Sequence, residues 1–169
     1  HNIENIVGAG ALLLTKNLLT PEEFARGVES FQGVKRRLEV LTENSSVPVF
    51  EGFGSSFEKA CSAIEAVRLH FPAKRLVVVF EPHTFSWRNR GALTWYDTVF
   101  AGAERVYVYE PASQGKDTHA QLGHDEIVER VRASGITTEA VTTPAQTLEL
   151  LHKDLQEGDI VLLLTSGSL

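Results

Sequence analysis

The sequence predicts an α/β fold in which helices cover both faces of a mostly parallel sheet of about six strands. Two apolar runs, Leu76–Phe80 and Ile160–Leu164, are continuous, as in strands that are buried on both faces. Segments with helical spacing alternate with strand-like segments along the chain. Because strands that alternate with helices form right-handed βαβ units, the expected architecture is a Rossmann-like, three-layer domain.

A short helical leader precedes this domain. Its first predicted helix, residues 3–16, contains an apolar run, and Gly8 and Gly10 within that run favour close packing on another element. The segment Thr20-Pro21-Glu22-Glu23 predicts the start of a second helix, because it offers a capping hydroxyl, a first-turn proline and acids near the positive end of the helix dipole. We therefore predict a leader over residues 1–34 and an α/β domain over residues 35–169.

The strands and helices of the domain follow from changes in the apolar period. Alternation over residues 37–42 predicts a first strand, and residues 47–50 a second, which Pro48 places at a sheet edge or a bulge. Apolar positions at helical spacing predict a helix over residues 57–71, ahead of the strand Leu76–Phe80. Three further helix–strand pairs are predicted: 95–101 with 105–109, 125–133 with 138–141, and 144–155 with 160–164.

Composition excludes several classes of protein. The net charge of −6 argues against a general nucleic-acid-binding protein, which needs a basic face. No apolar stretch approaches the roughly 20 residues that span a bilayer, and the single cysteine, Cys61, allows no internal disulfide. The chain begins with His1-Asn2 and contains no methionine, so we expect a piece trimmed from a longer chain. These features are compatible with a cytoplasmic enzyme but do not identify one. We expect a monomer that binds neither nucleic acid nor membrane.

The most polar loop follows the predicted central strand. It spans residues 81–90 and offers an imidazole, two hydroxyls and two guanidiniums, and guanidiniums match carboxylates and phosphates. In parallel sheets ligands bind at the carboxyl ends of strands, so the loop predicts an anion-binding site for a polar substrate. No nucleophile is paired with His83, which favours a positioning role, and no metal cluster or phosphate-binding P-loop motif occurs. The alternative is that such polar loops only keep the domain soluble.

Four motifs, in order along the whole chain, resemble those of the Mur ligases. Residues 1–5, HNIEN, resemble the HNxxN element that closes the central domain of these enzymes, and residues 30–39, SFQGVKRRLE, resemble the linker SFxGxxRRxE that opens their C-terminal domain. Residues 81–86, EPHTFS, are similar to an E/Q-P-H/R loop, and residues 158–167 resemble a final segment with GD, a strand and SxG. The resemblance implies that the leader ends a central domain and that the rest is a C-terminal domain.

The resemblance also implies a reaction and a set of roles. Mur ligases use ATP and magnesium to turn a muramyl carboxylate into an acyl phosphate, which an amine then attacks. The P-loop, the phosphate-binding lysine and the magnesium belong to the central domain, so this chain should contribute no catalytic residue, bind no cofactor tightly and be inactive alone. Its matched positions divide into cofactor contacts at Asn2, Asn5, Arg37 and Glu51, and substrate contacts at His83, Thr84, Ser86, Arg88, Ser166 and Gly167.

Within the family, the EPHTFS loop most resembles that of the murein peptide ligases, which act in peptidoglycan recycling. These join UDP-N-acetylmuramate to the tripeptide L-alanyl-γ-D-glutamyl-meso-diaminopimelate, and the ligases that add L-alanine to the same nucleotide sugar are a close second. The implied partners are the missing N-terminal and central domains, the nucleotide sugar and the peptide. One loop departs from the family: the acid expected to hold the ribose is Gly52, the expected histidines are Ser55 and Ser56, and Glu51 is a displaced carboxylate. This departure favours a third alternative, a non-catalytic binding module for an anionic peptide or nucleotide.

Overall fold

The structure is a computed structural model and describes residues 2–42, 44–110 and 121–165. The chain divides into two compact units, His1–Val34 and Lys35–Leu169. No helix among the described residues is both long and apolar enough to cross a membrane.

The first unit contains the helices α1 (Asn2–Thr15) and α2 (Pro21–Glu29). The cap predicted for α2 is present: Glu23 N donates to Thr20 Oγ1 at 3.2 Å, and Thr20 N donates to the Glu23 carboxylate at 2.8 Å. The expected close packing of α1 occurs at Gly10, where an added Cβ would lie 2.8 Å from the Phe24 ring. Gly10 therefore lets the two helices approach each other.

The second unit contains a sheet of six strands in the order β1-β2-β6-β3-β4-β5. β1 runs antiparallel to β2, and the other neighbouring pairs are parallel. The mostly parallel α/β fold is confirmed. The elements in chain order are β1 (Arg37–Val40), β2 (Val49–Gly52), α3 (Phe57–His70), β3 (Leu76–Phe80), α4 (Phe85–Arg88), a 3-10 helix (Arg90–Asp97), β4 (Arg105–Tyr109), α5 (His124–Ala133), β5 (Thr137–Val141), α6 (Pro144–Asp154) and β6 (Ile160–Leu164).

The strand β3 lies between the two halves of the core and contributes apolar side chains to both. Val78 and Phe80 pack in a cluster with residues of α3, α5 and the 3-10 helix, whereas Val77 and Val79 pack in a second cluster with Leu151 of α6. Because successive residues of a strand point to opposite faces, a fully buried strand supplies both clusters. The result is the three-layer arrangement that the apolar runs predict.

Two predictions about local structure are wrong. Pro48 does not mark an edge strand: β2 begins one residue later and lies between β1 and β6. The helix expected over residues 95–101 is instead the 3-10 helix Arg90–Asp97, which follows the single turn of α4. Its position depends on a tertiary contact, since the buried Tyr96 hydroxyl donates to the carbonyl of Trp87 at 2.7 Å.

Candidate functional site at the carboxyl edge of the sheet

Three parallel strands that are neighbours in the sheet end side by side. β2 ends at Gly52, β6 at Leu164 and β3 at Phe80, and Glu81 N donates to the carbonyl of Leu164 at 3.1 Å. We call the loop of residues 52–56, the segment 81–88 and Thr165 the carboxyl edge. In open α/β sheets this is the side on which ligands bind.

The loop after β2 passes so close to β6 that it needs a glycine. Gly54 has a φ of +44°, and an added Cβ would lie 2.9 Å from the Cβ of Leu164. A larger residue would clash there and would be strained in this left-handed conformation. The loop is therefore fixed against the end of β6.

Side chains of the segment 81–88 bind the backbone of this loop. Trp87 Nε1 donates to the carbonyl of Gly54 at 2.7 Å, and Thr84 Oγ1 donates to the carbonyl of Ser55 at 3.1 Å. Ser86 Oγ lies 3.4 Å from that carbonyl and 2.9 Å from Thr84 Oγ1. The two hydroxyls predicted to contact substrate thus also join two loops, and each oxygen can still accept a hydrogen bond.

Trp87 anchors the segment in the core, a role that the apolar sequence pattern did not indicate. Its ring is fully buried and packs edge-on against Phe80, with the ring centroids 4.9 Å apart. It also contacts Tyr96, a residue whose pKa is raised by burial. The sequence did offer a sign of this buried role. A tryptophan within a polar loop usually has a packing partner, because a large aromatic residue is rarely placed there without one.

A second connection joins β1 to the ends of β2 and β6. Arg36 Nε lies 2.6 Å from Glu51 Oε1, and Arg36 also donates to the carbonyl of Thr165 at 3.1 Å. Sequence reasoning assigned roles to Arg37 and Glu51 but none to Arg36. Glu51, predicted to replace the ribose-binding acid, is engaged by Arg36 through one of its carboxylate oxygens.

The remaining predicted cofactor contacts lie in different places. Arg37 is exposed at the start of β1, opposite Gly52. Asn5 is exposed on α1, and Asn2 begins the same helix, although its side chain lies outside the described residues. α1, which carries Asn2 and Asn5, belongs to the other compact unit.

The predicted substrate contacts differ in exposure. His83 Nδ1 lies 3.3 Å from Oε1 of the buried Glu81. Arg88 is 6% exposed, and its positive charge acts to lower the pKa of Tyr96, against the stronger effect of burial. The structure therefore places Thr84 and Ser86 together, leaves His83 partly exposed beside Glu81, and buries Arg88. Ser166 and Gly167 lie outside the described residues.

Histidine, cysteine and acidic side chains form no metal-binding group of three or more within the parts of the chain that the structure describes. Besides the buried carboxylate of Glu81, the carboxyl edge holds the guanidinium of Arg88, the imidazole of His83 and several hydroxyl groups. Guanidinium, imidazole and hydroxyl groups are suited to binding anions.

Comparison with known families accounts for this arrangement. The family model "Mur ligase, glutamate ligase domain" matches residues 36–167, which is most of the chain. The chain belongs to the Mur ligase family. Residues 36–167 correspond to the C-terminal domain of these enzymes, as the resemblance implies.

Individual relatives support the same assignment. A UDP-N-acetylmuramate–L-alanine ligase of Desulfitobacterium hafniense is 27% identical over 170 residues, which are 100% of this chain and 37% of that protein. The crystal structure of a UDP-N-acetylmuramate–alanine ligase from Thermotoga maritima aligns with a TM-score of 0.75 at 20% identity, over 99% of this chain and 35% of that one. A murein peptide ligase from Psychrobacter arcticus aligns with a TM-score of 0.70 at 18% identity, over 99% of this chain and 34% of that one. At such identities the two structures establish the fold, and the chain spans little more than a third of the relative from Desulfitobacterium.

Proposed function

We propose that this Mur ligase domain is part of an ATP-dependent enzyme that joins UDP-N-acetylmuramate to L-alanyl-γ-D-glutamyl-meso-diaminopimelate. Phosphorylation of the muramyl carboxylate gives an acyl phosphate, the amine of the peptide attacks the acyl carbon, and inorganic phosphate leaves. The observation that supports this proposal is the carboxyl edge, where the segment 81–88, with its EPHTFS motif, is fixed beside the end of β6.

The segment would bind the acceptor peptide. The hydroxyls of Thr84 and Ser86 lie 2.9 Å apart, and the partly exposed His83 precedes Thr84 in the chain. These side chains can hydrogen-bond to the carboxylates or amides of a peptide. Arg88 would contribute the charge of its buried guanidinium to the same segment. Because charge-assisted hydrogen bonds are stronger than neutral ones, a peptide with several carboxylates suits such a site.

The nucleotide would be bound mainly by parts of the enzyme outside this chain. Arg37 is the exposed residue of β1 that we assign to the ATP phosphates, and Asn2 and Asn5 on α1 to the adenine. As the family resemblance implies, the magnesium of the reaction would be held by the central domain. The isolated chain should therefore bind ATP weakly and catalyse nothing.

Two other functions have specific support. The curated relatives named UDP-N-acetylmuramate–L-alanine ligase, 27–28% identical over 99–100% of this chain, favour L-alanine as the acceptor. The loss of the acidic and histidine side chains at Gly52, Ser55 and Ser56 favours a binding module without ligase activity.

One assay separates the three. The whole protein that contains this chain is supplied with ATP, magnesium and UDP-N-acetylmuramate, and with either the tripeptide or L-alanine; ADP release and product mass are measured. We expect the tripeptide to give a kcat/KM about 10-fold or more above that of L-alanine, because only the tripeptide can use the additional polar contacts. The reverse preference would identify an alanine-adding ligase. If neither acceptor leads to ADP release, the non-catalytic binding module is the function that remains.

A further inference from the structure

The strand β3 ends in a tight turn that folds His83 back toward Glu81. Glu81 N donates to the carbonyl of Leu164, which fixes the start of the turn to β6, and His83 N donates to the carbonyl of Glu81 at 2.8 Å. Pro82 occupies the middle of this three-residue turn, a position that the fixed φ of proline suits. The backbone of His83 is therefore held in place relative to Glu81.

The side chains of Glu81 and His83 meet at the boundary between the core and the solvent. His83 Nδ1 lies 3.3 Å from Glu81 Oε1, and the two side chains are 30% and 7% exposed, respectively. Nδ1 itself is buried, so the exposed part of the ring lies toward its other edge. The separation is slightly longer than that of a well-formed N–H···O hydrogen bond, and such contacts shorten when a ligand closes a site.

A buried carboxylate has a defined effect on an imidazole beside it. Removing a carboxylate from water is costly unless it accepts hydrogen bonds, so the side of the ring that faces Glu81 favours an N–H. A neutral imidazole has a single N–H, and its other nitrogen is then an acceptor. With the N–H on Nδ1, the lone pair of His83 lies on Nε2, which is directed away from Glu81. The pair therefore makes His83 a hydrogen-bond acceptor toward a ligand.

We propose that Glu81 is a positioning residue of the ligase reaction, because it selects the tautomer in which His83 Nε2 accepts a hydrogen bond from the amino group of the acceptor. The reacting group rests on the proposed function, in which an amine attacks the acyl phosphate. The negative charge of Glu81 repels a carboxylate of the acceptor and attracts its amino group. His83 thus orients the nucleophile, and the carboxylates of the acceptor are left to Thr84, Ser86 and Arg88.

The tautomer of His83 can be measured in the 169-residue chain without any ligase assay. Long-range ¹H–¹⁵N spectra of the histidine rings are recorded at about pH 8, where an imidazole is ordinarily neutral, and they identify the protonated nitrogen. The signal of His83 is assigned by its loss in His83→Gln. We expect Nδ1–H in the wild type and in Glu81→Gln, whose amide oxygen still accepts a hydrogen bond. We expect Nε2–H in Glu81→Leu, which keeps the volume of the side chain but removes the acceptor.

The matched control is Glu65→Ala, which removes an exposed carboxylate from α3 and should leave the tautomer of His83 unchanged. A wild-type protein with Nε2–H would overturn the proposal, even if Glu81→Leu does not fold. The same holds if Glu81→Leu folds and keeps Nδ1–H.

Kinetics of the whole protein test what this tautomer does in the reaction. Misalignment of the amine in Glu81→Leu should lower kcat with the preferred acceptor by about 10-fold or more, with little change in KM for ATP or UDP-N-acetylmuramate. Glu81→Gln should keep most of the activity. Because Glu81 acts through His83, adding Glu81→Leu to His83→Ala should cause no further loss, whereas a purely structural Glu81 would lower the activity in both backgrounds.

The outcomes separate this proposal from the proposed function. An active enzyme in which Glu81→Leu keeps the wild-type kcat, or loses as much without His83 as with it, would show that the positioning role is wrong while the ligase function stands. If the whole protein has no turnover with either acceptor, the proposed function is wrong, and the role of His83 toward the amine is wrong with it, whatever the tautomer.

Discussion

The two ends of the parallel sheet use charge in different ways. At the amino ends of β3, β4 and β6, Arg75 lies 2.7 Å from Asp154 and 2.8 Å from Asp159, and Arg105 Nε lies 3.3 Å from the same Asp154. At the carboxyl ends the loops are joined mainly through backbone carbonyls, and Lys59 and Arg37 are exposed. The amino ends neutralise these charges internally, which favours stability, whereas the carboxyl ends combine the Arg36–Glu51 pair with the exposed cations Lys59 and Arg37.

The largest expected effect on stability tests whether Trp87 holds the carboxyl edge in place. Trp87→Ala should lower the free energy of unfolding by about 4 kcal/mol, because it empties a fully buried site and removes the bond to Gly54. Trp87→Phe keeps most of the ring but leaves the Gly54 carbonyl without its donor, and should cost about 2 kcal/mol. Urea unfolding measures both. Equal losses in the two variants would mean that the hydrogen bond, rather than the packing, holds the segment.

The next largest effect on stability tests whether the carboxyl edge could accommodate the acid that the family resemblance implies at residue 52. A Cβ at Gly52 would lie 3.1 Å from Leu164 Cδ2 and 3.5 Å from Ala63 Cβ, so the side chain would enter the core. Gly52→Asp should cost about 3 kcal/mol at neutral pH.

The control Gly52→Ala, which adds no charge, should cost about 1 kcal/mol. Burial raises the pKa of the introduced carboxyl above its unfolded value, so the loss in Gly52→Asp should shrink as the pH falls toward about 4 and the group is protonated. Thermal unfolding over this pH range measures the difference, and a Gly52→Asp variant as stable as Gly52→Ala at pH 7 would contradict the direction of this side chain.

A third pair of variants compares the two ends directly. Arg75→Ala should destabilise the domain by about 2 kcal/mol, because it leaves the buried Asp159 and the half-buried Asp154 without this partner. Lys59→Ala should change stability by less than about 0.5 kcal/mol, since the lysine is exposed and opposes the dipole of α3. Chemical denaturation of both variants provides the measurement. Similar losses would remove the distinction between a stabilising end and a binding end.

The smallest expected effect is on the alkylation rate of Cys61, which lies one turn after the start of α3. Burial raises the pKa of this thiol, and the negative charge of Glu58 raises it further. Because the thiolate is the reactive form, alkylation by iodoacetamide at pH 8 should be slower than for a free cysteine and should increase as the pH rises. Glu58→Gln should increase the rate modestly. Since the chain has a single cysteine, the mass of the alkylated protein reports this site alone, and a rate equal to that of free cysteine would refute the expectation.

The sequence alone was sufficient to predict the strands at the centre of the sheet. The strands β3, β4 and β6 occur at the predicted residues, because strands covered on both faces need continuous or nearly continuous apolar side chains. The 3-10 helix was not predictable from local pattern, since its position depends on the bond between Tyr96 and the carbonyl of Trp87. Tertiary contacts of this kind override local preference.

The site could be predicted only in part for a related reason. The position of residues 81–88 after a buried strand was enough to place them at the carboxyl edge. The pairing of Arg36 with Glu51 could not be predicted from sequence position. It depends on the register between β1 and β2, where a shift occurs between Arg37 and Glu39. A one-residue change in register reverses the direction of each side chain, so neighbouring arginines cannot be assigned from sequence alone.

The same irregularity in β1 bears on self-association. β1 is an outer strand of only four residues, and Arg36 and Leu38 have φ angles of +61° and +59°, which interrupt an extended backbone. A long, regular outer strand offers a template on which a second molecule can add its own strand, whereas a short and bulged one does not. On this side the domain therefore resists strand-by-strand aggregation at high concentration.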